Sequence, residues 1–480
     1  MGVFELSRKL TMLETAYPRD LVGYGRNPPH PRWPDDARIA VQFVINYEEG
    51  GENNILHGDP ASEAFLSEIV GAQPWPGERH MNMESLYEYG SRAGFWRLWR
   101  MFTERALPVT VFGVATALQR NPAAVAGMKD AGWELASHGL KWIDYKDFSS
   151  DEERAHLNEA IRIHTEVTGE RPLGWYTGRT SEHSLRLATE EGGFLYSADS
   201  YADELPYWVE GAAAAQLIVP YTLDANDMRF ATPQGFNSGD QFFAYLRDSF
   251  DLLYAEGERA PKMMSVGLHC RLAGRAGRAA ALARFLDHVQ GHERVWVATR
   301  LDIARHWIRN HRPAGLVPSR MTRAVFVELF GTVAEHSPWL AESAHAGLTP
   351  ANDSAEGLHR AFAQALRAAD RERKLLMIRA HPDLARPPDA GEMTPESQTE
   401  QGSAGLSVLP DSDRERFRSL NDAYRSKFGF PFIMAVKGRS PEQILAAFEE
   451  RLQHEPEQEF ERALAEIETI MLKRLTERLP

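Results

Sequence analysis

Acidic and imidazole side chains follow or end three short apolar runs in the first 300 residues. Glu48 and Glu49 come just after the run at 40–45, His138 follows the run at 133–136, and His269 ends the run at 263–269. Carboxylates and imidazoles are the side chains that most often transfer protons in catalysis, and two neighbouring carboxylates can also hold a cation. An isolated pair of glutamates more often faces water, and a lone histidine is more often structural. The order and shared position of the four residues predict a catalytic group.

The elements that must bring these residues together alternate between short apolar runs and helical patterns up to about residue 307. Short strands separated by amphipathic helices imply parallel βα units, and about seven such units suit a distorted (β/α) barrel. The carboxyl ends of parallel strands open at one face, so the four residues would meet there. The runs that we predict as strands are 40–45, 108–114, 133–136, 216–220, 263–269 and 295–298.

This order of motifs resembles the polysaccharide-deacetylase (NodB-like) superfamily. The string Tyr47-Glu48-Glu49-Gly50 stands where the superfamily has Phe-Asp-Asp-Gly, and Trp142 stands where the second histidine of His-x-x-x-His would follow His138. The remaining motifs are matched by Arg179, Asp199 and His269. A tryptophan cannot ligate a metal, because its indole N–H only donates. The superfamily's zinc site therefore loses one of its three ligands and has another lengthened.

With these departures the pattern is similar to the metal-independent allantoinases, a branch of the superfamily. Two further strings, 80–92 and 267–275, agree with that branch, and the resemblance covers roughly residues 10–310. It implies hydrolysis of allantoin to allantoate with no metal and no cofactor. Attack of water on the ring amide needs a base and an oxyanion donor. Glu48 or Glu49 would be the base, His138 and His269 would be acids or donors, and substrate would contact Trp142, Arg179 and Asp199.

Structural alternatives exist for several of these residues. Trp142 could be an ordinary core residue, and Asp199 could be an ordinary turn residue or an orienting group for a histidine or for Arg179. Cys270 follows His269, and neighbouring side chains of a strand point to opposite faces, which favours a small buried residue over a nucleophile. For the whole domain, the alternative is a zinc-dependent deacetylase of acetylated sugars or a cyclic imidase.

A second set of strings with chemical potential follows residue 318. The strings are Glu335-His336-Ser337-Pro338-Trp339, 379–385, 397–401, 404–406 and 427–433. Near the end of the chain, Arg474 continues an apolar stripe of the last helix that is formed by Phe460, Leu464, Ile467 and Met471. Such an arginine either reaches water at the helix end or is a buried cation that binds an anionic substrate.

The second set resembles the decarboxylases of 2-oxo-4-hydroxy-4-carboxy-5-ureidoimidazoline (OHCU), from about residue 318 to the end. The resemblance implies cofactor-free conversion of OHCU to (S)-allantoin by a catalytic trio of His381, Glu400 and Arg474. In this interpretation His381 transfers a proton, Glu400 orients the substrate or the histidine, and Arg474 holds developing charge. Substrate contacts would come from Pro382, Ser397, Gln401, Phe432 and Ile433, with core packing as the alternative for the aromatic residues.

A stretch of turn-forming residues, followed by a change from mixed to helical patterns, predicts two domains. Residues 1–307 would form the barrel of the NodB-like deacetylase type, 308–317 a linker with prolines and glycine, and 318–480 an all-α helical domain. Ser440 begins a helix in the capping pattern Ser-Pro-Glu-Gln. The segment 386–405 has the composition of a flexible loop, but the decarboxylase resemblance makes it part of an active site.

Composition is that of an ordinary globular protein. The 480 residues are 43% hydrophobic and 25% charged, and the formal charge of -14 argues against general affinity for nucleic acid or anionic membranes. One cysteine excludes an intramolecular disulfide, and the N-terminus lacks the apolar run of a signal peptide, so we expect a cytoplasmic protein.

Together the two resemblances imply consecutive steps, because the product of the second domain would be the substrate of the first. The expected partners are small ureides, OHCU and allantoin, with no nucleic acid and no membrane. Both families suggest a homo-oligomer, either a tetramer or a dimer. The alternative is that one domain is an inactive scaffold.

Overall fold

The computed structural model describes residues 19–211, 214–313, 315–386 and 393–479. Internal contacts divide them into two compact units. The first holds the described residues up to Ser184, Tyr196–Tyr207 and Ile218–His311; the second holds Leu185–Leu195, Trp208–Leu217 and the described residues from Arg312 onward. The boundaries at 307 and 318 stay a prediction. The expectations for residues 1–18 and 387–392 lie outside the described residues.

Strands of the described ranges form one sheet in the order β6-β7-β5-β4-β3-β2-β1-β8, and β9 also pairs with β1. All six runs predicted as strands are confirmed. The strands are β1 (Ile39–Tyr47), β2 (Thr110–Gly113), β3 (Glu134–Ser137), β4 (Gly174–Trp175), β5 (Tyr196–Ser197), β6 (Tyr207–Glu210), β7 (Ala215–Ile218), β8 (Lys262–His269) and β9 (Val295–Val297).

The register of the central strands explains where the polar residues meet. β1 is parallel to β2, with Tyr47 opposite Gly113, and parallel to β8, with Asn46 opposite His269. β2 is parallel to β3, with Gly113 opposite Ser137. The residues that follow these strand ends therefore share one edge. The sheet is a curled half-barrel, so the predicted distorted barrel is confirmed in its open form.

Helices cover the sheet, and the nine residues of β1 are all buried, as expected of a parallel strand packed on both faces. Capping residues mark where several of these helices begin; for example, Ser149 and Glu152 form a capping box before α5. The helices are α1 (Met81–Tyr89), α2 (Phe95–Thr103), α3 (Ala115–Arg120), α4 (Pro122–Asp130), α5 (Ser150–Thr168), α6 (Ser184–Glu191), α7 (Gly239–Glu256), α8 (Ala276–Gln290) and α9 (Arg300–Asn310).

Beyond residue 311 the described chain is helical, which confirms the all-α prediction. Ser440 caps its helix in the predicted box with Gln443. The helices are α10 (Arg323–Phe330), α11 (Pro338–His345), α12 (Ala355–Ala368), α13 (Arg371–Arg379), α14 (Pro395–Ser403), α15 (Asp411–Phe428), α16 (Pro441–Arg451) and α17 (Pro456–Arg478). None of the helices in the described ranges combines the length and apolar character that a membrane crossing requires.

Candidate active sites

The carboxylate of Glu48 lies at the centre of the first site. Its Oε1 is 3.3 Å from Nε2 of His138 and 3.4 Å from Nε2 of His269. Glu48 follows β1, His138 follows β3 and His269 ends β8, so the parallel register brings them together. All three side chains are buried. The structure thus joins three of the four residues predicted as catalytic around a single oxygen atom.

A buried arginine neutralises this carboxylate. Nη2 of Arg271 lies 2.7 Å from Oε2 of Glu48, and its guanidinium also lies 4.2 Å from the ring centre of Tyr87. Burial alone raises the pKa of Glu48, but Arg271 and the two imidazoles hold that pKa well below its usual range. Glu48 is therefore ionised at neutral pH. Sequence reasoning included Arg271 in a matching string but gave it no role.

Glu49 is bound to the backbone of both Glu48 and Arg271. Its Oε1 accepts the backbone N–H of Arg271 at 3.2 Å, and its Oε2 accepts the backbone N–H of Glu48 at 3.2 Å. Burial raises the pKa of Glu49, in spite of the opposing charge of Arg271, and the neighbouring Glu48 carboxylate raises it further. A Cβ on Gly90, in the π-helical turn Gly90–Gly94, would collide with the Glu49 carboxylate. The two adjacent glutamates thus differ in the direction of their pKa shifts and in the groups that they contact.

Asp227 holds His269 in place. Its Oδ1 is 2.6 Å from Nδ1 of His269, and its Oδ2 accepts the backbone N–H groups of His269 and Ala273 at 2.8 Å. Burial alone lowers the pKa of His269, but Glu48 and Asp227 together raise it to about 9. His269 is therefore an imidazolium at neutral pH. Sequence reasoning missed Asp227, which does not directly follow a strand but begins the short helical turn Asp227–Ala231.

Trp142 and Arg179 form a stacked pair. The guanidinium of Arg179 lies 4.0 Å from the ring centre of Trp142 and 5.2 Å from that of Phe65. Asp199 accepts the N–H groups of Thr177 and Gly178, which fixes the loop that leads to Arg179. Within the described residues, Nη2 of Arg179 is buried without a hydrogen-bond partner, as is Nδ1 of His138. The contacts of Asp199 fit its alternative role as an orienting group, and its contact with substrate stays a prediction.

Arg474 of α17 is the centre of the second site. Its Nε and Nη2 lie 2.8 Å from the two oxygens of Glu400, and its Nη1 lies 3.2 Å from Oε2 of Glu335. Only 3% of the arginine side chain is exposed, so it is a buried cation and does not extend into water at the helix end. Glu400 therefore contacts the arginine of the proposed trio.

Glu335 ties this cation to the start of α14. It accepts hydrogen bonds from the N–H and hydroxyl of Thr394 at 2.9 Å and from the hydroxyl of Ser397 at 2.7 Å. The Ser397 hydroxyl in turn accepts from Nη2 of Arg474 at 2.9 Å. Burial raises the pKa of Glu335, but these donors and Arg474 lower it overall. Sequence reasoning placed Glu335 in a matching string without assigning it this role.

The two ring nitrogens of His381 have different surroundings. Its Nδ1 lies 2.9 Å from the carbonyl oxygen of Met377, and because a carbonyl only accepts, Nδ1 carries the proton. Nε2 is buried and lacks a hydrogen-bond partner among the described residues. Burial lowers the pKa of His381. The ring is therefore a neutral imidazole with its lone pair on Nε2.

Comparisons with known proteins assign both halves of the chain. Residues 83–192 match the polysaccharide deacetylase family model, and residues 319–476 match the OHCU decarboxylase family model. A relative from Schizosaccharomyces pombe, described as a polysaccharide deacetylase, is 41% identical over 313 residues, which are 61% of this chain and 98% of the relative. An OHCU decarboxylase from Haloferax volcanii is 44% identical over 160 residues, which are 33% of this chain and 92% of that protein.

The chain belongs to the polysaccharide deacetylase and OHCU decarboxylase families. A solved structure titled Puue Allantoinase is 62% identical, with a TM-score of 0.61, and the match covers 62% of this chain and 98% of that one. The expected deacetylase-type fold is thereby confirmed.

Zinc, which the deacetylase family implies, does not fit the first site. Trp142 has no lone pair to offer, and the cationic Arg271, 2.7 Å from Oε2 of Glu48, would repel a metal ion. In the described part of the chain, the group of three His, Cys, Asp or Glu side chains with ligand atoms within 4.8 Å of one another lies elsewhere, at Asp251, His288 and His292. Arg271 therefore supplies, beside Glu48, the positive charge that a metal ion would otherwise provide.

The remaining residues predicted for the decarboxylase-family site have varied surroundings. Gln401 accepts the N–H of Ala385 at 3.0 Å, and Pro382 is half-buried. The carbonyl of Ile433 accepts from Arg451 at 2.7 Å. Phe432 stacks on Phe448 with ring centres 3.7 Å apart, which is core packing for its side chain. Their contacts with substrate stay predictions.

Proposed function

We propose that the deacetylase-like domain is an allantoinase, which opens the five-membered ring of allantoin with water and gives allantoate. The arrangement that carries the proposal is the ionised Glu48 between two imidazoles, with Arg271 in place of a metal charge. The 62% identity to a structure titled Puue Allantoinase supports this substrate.

In this mechanism Glu48 takes the proton from the attacking water, because it is the ionised carboxylate that both imidazoles reach. His269, protonated at neutral pH, donates a proton to the leaving ring nitrogen. The second imidazole, His138, donates to the oxyanion. The stacked guanidinium of Arg179 binds a substrate oxygen through Nη2, which has no hydrogen-bond partner among the described residues.

We infer that the second domain decarboxylates OHCU to (S)-allantoin. The bond between the ring carbon and its carboxylate breaks, CO₂ leaves, and the electron pair moves through the neighbouring carbon onto the imine nitrogen. That nitrogen takes up a proton, the neighbouring carbon gains a second, and the hydroxyl loses one as its C–O bond becomes a carbonyl, which gives allantoin. Nε2 of the neutral His381 accepts the hydroxyl proton, and Arg474 stabilises the negative charge of the intermediate.

The two activities would be consecutive, so one experiment tests both. Freshly prepared OHCU is given to the full chain, and its ultraviolet loss and the formation of allantoate are followed together. Glu48→Gln is expected to stop at allantoin, with allantoin hydrolysis reduced by about 10²- to 10⁴-fold. His381→Ala is expected to leave OHCU unconsumed by the enzyme and added allantoin hydrolysed at the wild-type rate.

Both assignments have contrary outcomes. If Glu48→Gln still yields allantoate at the wild-type rate, the first site is wrong, and the same holds for His381→Ala and the second. An acetylated chitin oligosaccharide that is deacetylated faster than allantoin is hydrolysed would favour the zinc deacetylase alternative. The predicted homo-oligomer is proposed on the same footing and is tested by light scattering.

A further inference from the structure

A cluster of two histidines and an aspartate lies outside both sites, where α7 meets the end of α8. Asp251 is on α7, His288 is in the last turn of α8, and His292 is in the turn that follows. Each side chain offers one ligand atom, and these atoms lie within 4.8 Å of one another. No step of the proposed chemistry uses these residues.

Hydrogen bonds and ring contacts fix the orientations of the two imidazoles. Nδ1 of His292 donates to the carbonyl of His288 at 2.8 Å, so its Nε2 carries the lone pair. Nε2 of His288 lies 2.7 Å from Oδ1 of Asp251 and donates its proton to that carboxylate, so a bound metal ion would replace the proton that the two groups share. Phe250 meets both imidazole rings edge-on, with ring centres 5.5 Å and 5.0 Å away. The rings are thus held side by side, with centres 4.6 Å apart.

The geometry points to a site for one divalent transition-metal ion, with Zn²⁺ as the best match. Two imidazole nitrogens and one carboxylate oxygen are typical zinc ligands, and a water can complete a tetrahedron. Mg²⁺ and Ca²⁺ prefer oxygen ligands and match a set with two nitrogens poorly. The side chains of His288 and Asp251 are 24% and 47% exposed, so an ion can reach them from solvent. Bound metal would join the end of α8 to α7 and stabilise the first unit.

The test uses the full-length chain without an affinity tag, stripped of metal with EDTA and dialysed. Zn²⁺ in excess is expected to raise the melting temperature of the first unit by at least roughly 2–4 °C, since a ligand that binds only the folded state stabilises it. His292→Gln and Asp251→Asn should lose this shift while keeping their metal-free melting temperature near that of the wild type. Mg²⁺ should give none.

Two controls separate this site from others. His183, whose Nε2 has a single carboxylate neighbour, Glu182 at 3.8 Å, serves as the matched surface histidine, and His183→Gln should keep the full shift. Glu48→Gln should also keep it. A shift lost in Glu48→Gln but kept in His292→Gln would place zinc in the first active site and overturn this assignment without deciding the decarboxylase.

Co²⁺ gives a second readout that does not depend on stability. Tetrahedral coordination by these ligands should produce visible absorption at one Co²⁺ per chain, and His292→Gln should abolish it. An ordinary hydrogen bond between Asp251 and His288, with no metal role, predicts neither a Zn²⁺ shift nor a visible band. Either of those blank results in the wild type overturns the proposal.

Discussion

The two sites contain the same kinds of side chain, yet their histidines have opposite character. Burial alone lowers the pKa of both His269 and His381. In the first site Glu48 and Asp227 reverse that effect and raise the pKa of His269 to about 9. In the second, the ring nitrogen Nδ1 of His381 binds a backbone carbonyl, and its pKa stays lowered. The first histidine is suited to donate a proton and the second to accept one.

The arginines explain the difference. Arg271 binds one oxygen of Glu48 and leaves the other oxygen to the imidazoles. Arg474 binds both oxygens of Glu400 and also contacts Glu335. The protonation of each histidine therefore depends on whether the nearby carboxylates contact its imidazole or an arginine. Composition alone does not show this.

Replacing Arg271 tests the electrostatic half of this comparison and should have the largest effect. In Arg271→Met, allantoin hydrolysis is expected to fall on the order of 10³-fold, because the charge on Glu48 loses its partner. Burial then acts on Glu48 without that compensation, so its pKa rises and the acid limb of the pH–rate profile moves to higher pH. The measurement is kcat/KM for allantoin across the pH range.

Arg271→Lys is the control that keeps a positive charge, and it should keep part of the activity. Removing one partner of a buried ion pair also costs about 3–5 kcal/mol, so urea unfolding is measured on the same samples. OHCU decarboxylation should be unchanged. Wild-type allantoin hydrolysis by Arg271→Met would show that the buried cation has no role in the reaction.

Replacing Glu335 tests whether Arg474 needs its second carboxylate. Glu335→Gln removes the charge that holds Arg474 and the start of α14, and the resulting displacement is expected to lower kcat for OHCU on the order of 10²-fold. KM should change less, because the hydrogen bonds of Glu335 described above go to protein groups and leave it no direct role in binding substrate. Steady-state kinetics with OHCU check the split between kcat and KM.

Glu396 is a matched control for Glu335. It pairs with Arg478 at 2.6 Å between the same two helices, but both side chains are partly exposed. Glu396→Gln should keep decarboxylation near the wild-type rate, because exposed ion pairs contribute little. Equal losses in the two variants would mean that Glu335 acts only by holding the helices together.

Replacing Asp227 tests why His269 is charged. His269 is protonated below its pKa of about 9, so allantoin hydrolysis should decline as the pH rises through that value. Asp227→Asn removes one of the two carboxylates that raise this pKa, so the alkaline limb should move down by about 1–3 pH units. The histidine limb of OHCU decarboxylation lies on the acid side and should not move. An unshifted alkaline limb would assign it to another group.

The sequence predicted the fold well where the pattern was local. The predicted runs 40–45, 108–114 and 263–269 each contain or fall within an observed strand, because a continuously buried strand is continuously apolar in sequence. The two-residue strands β4 and β5 were missed, since so short a segment has no periodicity, and the four-residue strand β6 was missed as well.

The candidate sites show a similar division. The residues at strand ends could be proposed from position and resemblance, but the functions of Asp227 and Glu335 depend on partners 42 and 59 residues away in the chain. Charge assignment also needed the structure. The choice between Glu48 and Glu49 rests on which carboxylate faces the imidazoles, and adjacent residues of identical type carry no sequence signal for that.

The smallest expected effect concerns Phe432, for which substrate contact and core packing are the two alternatives. Its ring is 1% exposed and stacks on Phe448, so Phe432→Leu should lower the free energy of unfolding by about 1–2 kcal/mol and leave KM for OHCU unchanged. Ser397→Ala is the contrasting variant, because the Ser397 hydroxyl contacts Arg474, and it should alter kinetics more than stability. A raised KM with unchanged stability in Phe432→Leu would instead place the ring against substrate and extend the second site to the chain segment after α15.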